Sequence, residues 1–395
     1  MTSPAAGPAK RRLIRWRRLA PRLREPFPAV AGNRVTSMER GESFYATMLS
    51  AIAQARATVD VEMYLWDADE VGLRFVEALR DAAARGLRVR VLIDASGASE
   101  IAARLEAVAG AGGDVRIFNP FRMRFLQRYF HRTHKKLVVC DGWRAFTGGA
   151  GFSQHWTSGK RREEPWHDRI FEMHGPAVSQ IVTLFETDFH RWAPRREATG
   201  SPVPAATTDL APAGTAQLRV LRGWPNARDF RVALIAAVRA AKVRVWLGTP
   251  YFIPPPSLLR ELTSALRRGV DVQLVLPSGN YAHPLLWHAS RRHYKWFIRR
   301  GARIHEYAQG FYHVKIAVVD GSAAIFGSSN LDYWSWDRNA EIDVVATDEA
   351  TVGLVAACFE QDRSRSREVT YADVSVRSWL ARLRDRLVGW IESWL

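Results

Sequence analysis

Apolar and polar residues alternate along three short stretches in each half of the chain, and the stretches occur in the same order in both halves. Each stretch has the two-residue period and the Val/Ile content of a β-strand, and amphipathic helical patterns separate the stretches. The six stretches are 57–66, 86–94 and 113–120 in the first half, and 241–252, 269–277 and 301–307 in the second. Strands that alternate with helices predict an α/β fold, here a duplicated unit with mixed, mostly parallel sheets.

A stretch without regular periodicity separates the two halves. Residues 198–216 are rich in Pro, Ala, Thr and Gly and carry almost no charge, which is typical of an interdomain linker. Two domains are also the natural expectation for a chain of 395 residues. We therefore predict a first domain over 34–197 and a second over 217–370, with the terminal segments 1–33 and 371–395 outside the repeat.

The charge of the chain points to an anionic partner. Lys and Arg number 57 against 40 Asp and Glu, which gives a formal net charge of +17. Nucleic acid, an anionic membrane surface or a phosphorylated substrate would each suit such a protein. The basic N-terminal segment 1–33 could contact a membrane. The C-terminal segment 371–395 has an apolar stripe with three tryptophans, which fits a core-packing helix or an interfacial helix equally well.

Membrane-spanning and secreted proteins are disfavoured by the sequence. An uncharged apolar run of about 18 residues, as a transmembrane helix needs, does not occur, and no apolar region of a signal peptide follows the basic N-terminus. The two cysteines, Cys140 and Cys358, lie in apolar stretches and do not suggest a disulfide framework. We expect them to be core residues of a protein in a reducing compartment.

A short motif with one histidine, one lysine and one aspartate occurs with the same spacing in both halves. Six residues separate its aspartate from a turn of small residues. Its members are His134, Lys136, Asp141, Gly148 and Gly149 in the first half, and His313, Lys315, Asp320, Ser328 and Asn330 in the second. Either copy alone could be a buried strand with a satisfied histidine, but two copies in duplicated halves predict a functional site.

The residue types of the motif suit a phosphate. The Val/Ile content predicts β-strands, in which residues two apart point to the same face, so each histidine and its lysine would project together. Lysine neutralises charge, an amide donates a hydrogen bond, and imidazole can attack phosphorus or move a proton near neutral pH. In the first copy Gly149 and Gly151 replace the serine and the asparagine. Side-chain donors to the phosphate are therefore expected mainly from the second half, with backbone N–H groups of the glycine-rich turn in the first.

The second copy resembles the motif of the phospholipase D superfamily, His-x-Lys-x₄-Asp-x₆-Gly-Ser-x-Asn, and the duplication resembles its two-motif members. The phrases YLWDAD, YFIPP, RRGARIHEY and GSSNLD are similar to those of bacterial cardiolipin synthases that lack transmembrane helices. The resemblance covers about residues 34–370. It implies a duplicated phospholipase D-like α/β sandwich, with two pseudo-symmetric halves and one active site between them.

The resemblance also implies roles for the motif residues. Both histidines would face one phosphodiester, with His134 as the nucleophile that forms a phosphohistidine and His313 as the general acid and base. The nonbridging oxygens would be held by Lys136, Lys315, Ser328 and Asn330. No metal and no other cofactor are expected, because the lysines supply the positive charge.

Four carboxylates complete the predicted site. Asp168 in the first half and Glu341 in the second match the acidic residues that the resemblance implies, and each is expected to orient a histidine ring. Asp141 and Asp320 match the aspartate of the motif. We expect them to close a strand into a turn rather than to contact the substrate.

The fold does not decide which phosphodiester is used. Segments 120–136 and 284–300 interleave aromatic and basic residues, which could stack bases or lie among acyl chains. The terminal segments favour a bilayer surface. The leading hypothesis is a cardiolipin synthase that moves a phosphatidyl group onto phosphatidylglycerol, peripheral on the cytoplasmic face of the cell membrane, with anionic phospholipid (phosphatidylglycerol, cardiolipin) as its partner.

Other functions stay open at this point. The protein could be a phospholipase D that hydrolyses phospholipids to phosphatidic acid, or, less favoured, a phosphodiesterase or nuclease acting on nucleic acid. The incomplete first motif could also mark a binding protein without activity. The sequence does not indicate the oligomeric state.

Overall fold

The computed structural model describes residues 26–120, 131–159, 164–192, 210–224, 227–279 and 284–375. Most of the predicted terminal segments and of the predicted linker lies outside the described residues, as do residues 121–130 of the first aromatic and basic segment. Within the described ranges, no helix is long and apolar enough to cross a bilayer.

The first half contains seven strands and four α-helices among the described residues. The strands are β1 (Val30–Met38), β2 (Thr58–Met63), β3 (Arg88–Asp94), β4 (Asp114–Phe118), β5 (Lys136–Cys140), β6 (Arg144–Gly148) and β7 (Ile170–His174). The helices are α1 (Gly41–Gln54), α2 (Glu70–Ala84), α3 (Glu106–Gly110) and α4 (Ala177–Arg191), with a 3₁₀ turn at Gln154–Trp156. The three strand stretches predicted for this half correspond to β2, β3 and β4.

The second half repeats this order with two additional short strands and further short helices. Its strands are β8 (Ala216–Trp224), β9 (Ala227–Arg228), β10 (Arg244–Gly248), β11 (Asp271–Pro277), β12 (Arg303–Tyr307), β13 (Ile316–Val319), β14 (Ala323–Gly327), β15 (Glu341–Ala346) and β16 (Ser366–Glu368). Its helices are α5 (Asp229–Ala240), α6 (Pro256–Arg267), α7 (Pro284–Arg291), α8 (Tyr294–Ile298), α9 (Tyr333–Asp337), α10 (Glu349–Ser364) and α11 (Tyr371–Ser375). The predicted strand stretches correspond to β10, β11 and β12.

One continuous sheet runs through both halves. Its order is β16-β12-β11-β10-β13-β14-β15-β8-β1-β7-β6-β5-β2-β3-β4, and β9 pairs with β8. The first strand of each half, β1 or β8, lies at the centre, and these two strands pair antiparallel. From this centre outward the strand order of one half matches that of the other, so the two halves are pseudo-symmetric, as predicted.

The expectation of a mostly parallel sheet was wrong. Within the described residues, the parallel pairs are β2–β3, β3–β4, β10–β11 and β11–β12, and every other pair is antiparallel. The parallel pairs are joined by helical crossovers such as α2, whereas β5–β6 and β13–β14 are joined by short turns. A short turn reverses the chain, and therefore forces antiparallel pairing.

The two halves share an apolar cluster. Helices α4 and α10 pack between the half-sheets, and the cluster includes Phe185 of α4, Phe359 of α10 and the stacked rings of Phe171 and Phe326, 4.2 Å apart. Separate clusters lie under α1 and α2 in the first half and under α5 and α6 in the second. Both cysteines are buried and unbridged. The shared cluster fixes the position of one half relative to the other, although the predicted domain boundaries stay a prediction.

Candidate active site

Each histidine lies in an extended segment just before a strand of its own half, and that segment pairs with the other half. Strands β5 and β13 begin only after the histidines, so the prediction that the histidines lie within strands was wrong. The backbone N–H of His134 donates to Ala340 O, and that of His313 donates to His167 O, both at 2.8 Å. These bridges hold each histidine beside the start of β15 or β7 in the opposite half.

Each histidine is hydrogen-bonded to the predicted carboxylate of the opposite half. His134 Nδ1 lies 2.9 Å from Glu341 Oε1, and His313 Nδ1 lies 2.7 Å from Asp168 Oδ2. Both carboxylates are completely buried, with side-chain exposures of 0%. A carboxylate at Nδ1 favours the tautomer with the proton on that nitrogen, so Nε2 is left as the reactive nitrogen of each ring.

The two motif lysines are buried beside the histidines. Lys136 Nζ donates to His134 O at 2.6 Å. Lys315 Nζ donates to His313 O and also lies 3.0 Å from His313 Nδ1. Lys136 Nζ also lies 5.1 Å from the ring centre of Tyr64, whose ring is 4.9 Å from that of His134. Tyr64 belongs to the phrase YLWDAD, but no motif spacing relates it to a histidine.

Burial alters the pKa of all four motif bases. It lowers the pKa of Lys136 to about 7 and that of Lys315 to about 8, against the partial opposition of nearby carboxylates. It also lowers the pKa of His134, and together with the charge of Lys315 it lowers the pKa of His313 to about 3. The charge of the lysine of the opposite half also lowers the pKa of each histidine, because the two motifs lie close together. An anion bound there would restore the charge of the lysines.

Aromatic side chains surround His313. The ring of Trp166 lies 5.5 Å from the His313 ring, that of Phe311 lies at 5.7 Å and that of Trp156 at 5.8 Å. Trp156 Nε1 also donates to Asp168 Oδ2 at 3.3 Å. These aromatic residues were not predicted from the sequence, because the motif spacing says nothing about the 3₁₀ turn that carries Trp156.

The second-half donors are partly engaged within the protein. Ser328 Oγ donates to Glu341 Oε2 at 2.5 Å and accepts from Ile342 N at 3.0 Å. The side chain of Asn330 is hydrogen-bonded to Asp332, whose pKa is raised to about 6 by burial. Asn330 Oδ1 has no hydrogen-bond partner among the described residues. That both side chains bind a phosphate therefore stays a prediction.

The glycines of the first-half turn leave room for the carboxylate. A Cβ on Gly149 would lie 2.4 Å from Asp168 Oδ2, and a Cβ on Gly148 would lie 2.2 Å from Arg169 O. Asp168 is held instead by Trp156 Nε1 and by the backbone N–H of Arg169, which donates to Oδ1 at 2.8 Å. The missing serine of the first motif is thus explained by close packing against Asp168.

The motif aspartates lie away from the histidines. Asp141 follows β5 at the end opposite to His134, and the strand between them is roughly 17 Å long at about 3.4 Å per residue. Its carboxylate accepts the backbone N–H groups of residues 56–58, and that of Asp320 accepts those of residues 242–244. Both aspartates have a φ of 53°. This geometry is that of a turn closure rather than of a substrate contact.

Two duplicated α/β halves that bring paired histidine and lysine motifs into one site define a two-motif phospholipase D-like protein. The family model described as "Cardiolipin synthase, PLD-like domain" matches residues 48–189 and 234–363. The chain belongs to this family.

Similar proteins and structures agree with this assignment. Cardiolipin synthase A of Pseudomonas aeruginosa is 33% identical over 356 residues, which cover 88% of this chain and 70% of that protein. The major cardiolipin synthase of Bacillus subtilis is 28% identical over 89% of this chain and 73% of its own length.

A solved structure, the phosphatidylserine synthase of Haemophilus influenzae, matches 93% of this chain and 97% of its own with a TM-score of 0.74. A polyphosphate kinase from Porphyromonas gingivalis matches 92% of this chain and 54% of its own with a TM-score of 0.56. Each of these two structures is 14% identical, so they show the shared fold alone.

Proposed function

We propose that this protein is a cardiolipin synthase, which transfers a phosphatidyl group from one phospholipid onto a hydroxyl group of phosphatidylglycerol. The main observation in support is that a buried carboxylate of the opposite half is hydrogen-bonded to Nδ1 of each of His134 and His313, beside two buried lysines. Membership of the family and the similarity to cardiolipin synthases support this substrate class.

In the first step, His134 Nε2 attacks the phosphorus of the donor phospholipid. A P–N bond forms while the P–O bond to the leaving alcohol breaks, and His313 Nε2 gives its proton to the departing oxygen. Glu341 accepts a hydrogen bond from the Nδ1–H of His134 and stabilises the positive charge that develops on the ring. With phosphatidylglycerol as the donor, the released alcohol is glycerol.

In the second step, the hydroxyl of phosphatidylglycerol replaces the histidine. Its proton passes to His313 Nε2 while its oxygen attacks phosphorus, and the P–N bond returns its electron pair to His134. Lys136 and Lys315 balance the negative charge of the nonbridging oxygens in both steps. The two steps together need no oxidant, and His313 regains in the second step the proton that it gives in the first.

The protonation states of the free site suit a nucleophilic histidine. Because burial lowers the pKa of both rings, both are neutral near pH 7 before the substrate binds. A bound diester anion favours uptake of one proton, which serves as the proton for the leaving group. His134 is the proposed nucleophile because the motif resemblance assigns the attack to the first copy.

A vesicle assay tests the function. Purified protein is mixed with phosphatidylglycerol vesicles, and the products are followed by mass spectrometry. Cardiolipin and glycerol in equal amounts are expected. Phosphatidic acid without cardiolipin would identify a hydrolase, and cleavage of DNA without any lipid product would refute the lipid assignment.

Acid quenching and peptide mapping test the nucleophile. A phosphatidyl adduct on His134 is expected in the wild-type protein, and His134→Ala should abolish it. In His313→Ala the adduct should accumulate if formed with an activated donor that needs no protonation of its leaving group. An adduct that maps to His313 and survives in His134→Ala would reverse the two assigned roles.

Peripheral binding to the cytoplasmic face of the membrane is part of the proposal. The net charge of +17 favours an anionic surface, and phosphatidylglycerol would supply both that surface and the substrate. The protein should float with phosphatidylglycerol vesicles at low salt and be released at high salt. Equal flotation with vesicles of neutral phosphatidylcholine would argue against electrostatic docking.

A further inference from the structure

A buried carboxylate that the proposed mechanism does not use lies near the end of α10. Asp362 has a relative exposure of 0%. Its Oδ1 accepts from His167 Nε2 at 2.8 Å and from a terminal guanidinium nitrogen of Arg169 at 2.5 Å. Its Oδ2 accepts from the Tyr312 hydroxyl at 3.1 Å. One side chain of the second half thus binds two residues of the first half and one of its own.

The three partners of Asp362 are the immediate neighbours of a histidine–carboxylate pair. His167 and Arg169 lie on either side of Asp168, and Tyr312 directly precedes His313. The backbone N–H of Arg169 donates to Asp168 Oδ1 at 2.8 Å, and His167 O accepts the backbone N–H of His313. Asp362 is therefore linked through one residue to both members of the pair.

The partners have little freedom to move. The His167 ring is stacked on Tyr307 at 4.6 Å and lies 5.6 Å from the Tyr312 ring. Although burial alone would raise it, the pKa of Asp362 is held below its usual value by the hydrogen bond from His167 and by the charges of His167 and Arg169. An ionised carboxylate in this place keeps three buried donors satisfied at once.

The corresponding aspartate of the first half has a different set of partners. Asp188 occupies the same place in the Phe-Glu-x-Asp sequence of α4, and it is bound by Lys135, which also contacts Glu62. All three of these residues belong to the first half. The contacts of Asp362 with His167, Arg169 and Tyr312 therefore differ from the Lys135 contact of Asp188.

We propose that Asp362 is a positioning residue, which holds Asp168 and His313 in register across the two halves so that His313 keeps its proton on Nδ1 and presents Nε2 to the reaction. The inference rests on the proposed function in giving His313 a reacting role. The tautomer of the His313 ring can be measured without a substrate, and so independently of the proposed function.

The chain offers a closely matched control. Asp60 is a buried aspartate that binds Arg90 through both oxygens, at 2.6 and 2.8 Å, with Glu186 3.4 Å from the same guanidinium. Arg169 likewise has a second carboxylate, Glu39, at 3.8 Å. Asp362→Asn and Asp60→Asn therefore remove the same kind of ion pair, and a remaining carboxylate favours folding of both variants.

The experiment compares Asp362→Asn, Asp60→Asn and wild type by ¹⁵N NMR of histidine-labelled protein, with His313 assigned from His313→Gln. Wild type and Asp60→Asn should show His313 with its proton on Nδ1. Asp362→Asn should show a mixture of tautomers at His313 and an unchanged His134. With phosphatidylglycerol vesicles, kcat of Asp362→Asn should fall about 10-fold or more while KM stays within about 2-fold, as expected for misorientation.

Either of two results would overturn the proposal. In one, Asp362→Asn keeps the wild-type His313 tautomer, and in the other Asp60→Asn changes it equally. If Asp362→Asn does not fold, Tyr312→Phe removes a single hydrogen bond to the same carboxylate and should produce a smaller change in the same direction, whose absence would count against the proposal. A tautomer change in a protein that makes no cardiolipin would refute the proposed function and leave the positioning role in place.

Discussion

Gly149 lies so close to Asp168 that a methyl group at this position would sit 2.4 Å from one carboxylate oxygen and 2.6 Å from the other. The equivalent place in the second half is taken by Ser328, which donates to Glu341. The strand registers Gly148–Ile170 and Gly327–Asp343 establish the equivalence. In the first half, Gly149 leaves space for the orienting carboxylate of Asp168. In the second half, Ser328 at the equivalent position donates a hydrogen bond to the orienting carboxylate of Glu341.

Gly149→Ala should inactivate the enzyme. The new methyl group would also lie 2.7 Å from His313 O, so Asp168 has to move away from His313 Nδ1. We expect kcat to fall about 100-fold, because small misplacements of reacting groups have effects of that size. Gly353→Ala in α10, where an added Cβ meets nothing within 4 Å, is the control and should keep full activity. Wild-type turnover by Gly149→Ala would disprove the steric argument.

Ser328→Ala should reduce turnover rather than phosphate binding. The hydroxyl of Ser328 faces Glu341, so its loss loosens the carboxylate that holds His134. We expect kcat to fall about 10-fold, while the dissociation constant of dimethyl phosphate changes less than about 2-fold. Isothermal titration and steady-state kinetics measure the two quantities. A weaker anion affinity with normal turnover would show instead that Ser328 binds the phosphate.

Affinity for a phosphodiester anion should decrease as the pH rises from 6 to 9. Dimethyl phosphate keeps a single negative charge over this range, so a change of its affinity reports the protonation of groups on the protein. Lys136 and Lys315 have pKa values lowered to about 7 and about 8, and a bound anion favours their protonated forms. Their deprotonation should weaken binding about 10-fold or more. In Lys136→Arg the lower of the two steps should disappear. An affinity independent of pH in the wild type would contradict the prediction.

Asp141→Asn and Asp320→Asn should lower stability and leave the turnover of folded protein unchanged. Each carboxylate accepts three backbone N–H groups but is only partly buried, so we expect a loss of roughly 1 kcal/mol in the free energy of unfolding. Urea denaturation at several pH values measures it, and a loss of kcat without a loss of stability would point to a catalytic role.

The same two variants have an expected pH dependence. Burial alone would raise the pKa of both aspartates, but the backbone hydrogen bonds outweigh it and lower the pKa. Their stabilisation is therefore complete above the unfolded value of about 3.9 and is lost as the pH falls through the lower folded value. The variants should lack this part of the acid sensitivity, so the stability difference from wild type should shrink on acidification.

The sequence carried enough information to predict the duplicated α/β unit and to name histidines, lysines and carboxylates that lie close together in the candidate site. Strands β2, β3 and β4 and their counterparts follow the two-residue period closely, and the motif spacing places each lysine two residues after its histidine. Whether neighbouring strands pair parallel or antiparallel was not predictable in the same way. A turn of three residues between Cys140 and Arg144 decides the direction of β5 and β6, and the strand pattern itself does not contain that direction.

The pairing across the halves could not be predicted from spacing. Asp168 and Glu341 each follow the histidine of their own half by a few tens of residues, so the sequence favours neither partner over the other. The role of Asp362 was hidden for a different reason. A charged residue in an amphipathic helix normally lies on the solvated face, and only the packing of α10 between the two half-sheets shows that this one is buried.

The crossing of the two pairs has a consequence for the order in which the enzyme is assembled. Glu341, the partner of His134, lies 207 residues further along the chain. During synthesis on the ribosome, His134 therefore has no carboxylate partner until most of the protein has emerged. The first half can form the apolar cluster under α1 and α2 before that point, but it cannot orient its own histidine. Activity should therefore appear as the last event of refolding, together with the pairing of β1 and β8, and later than the recovery of secondary structure.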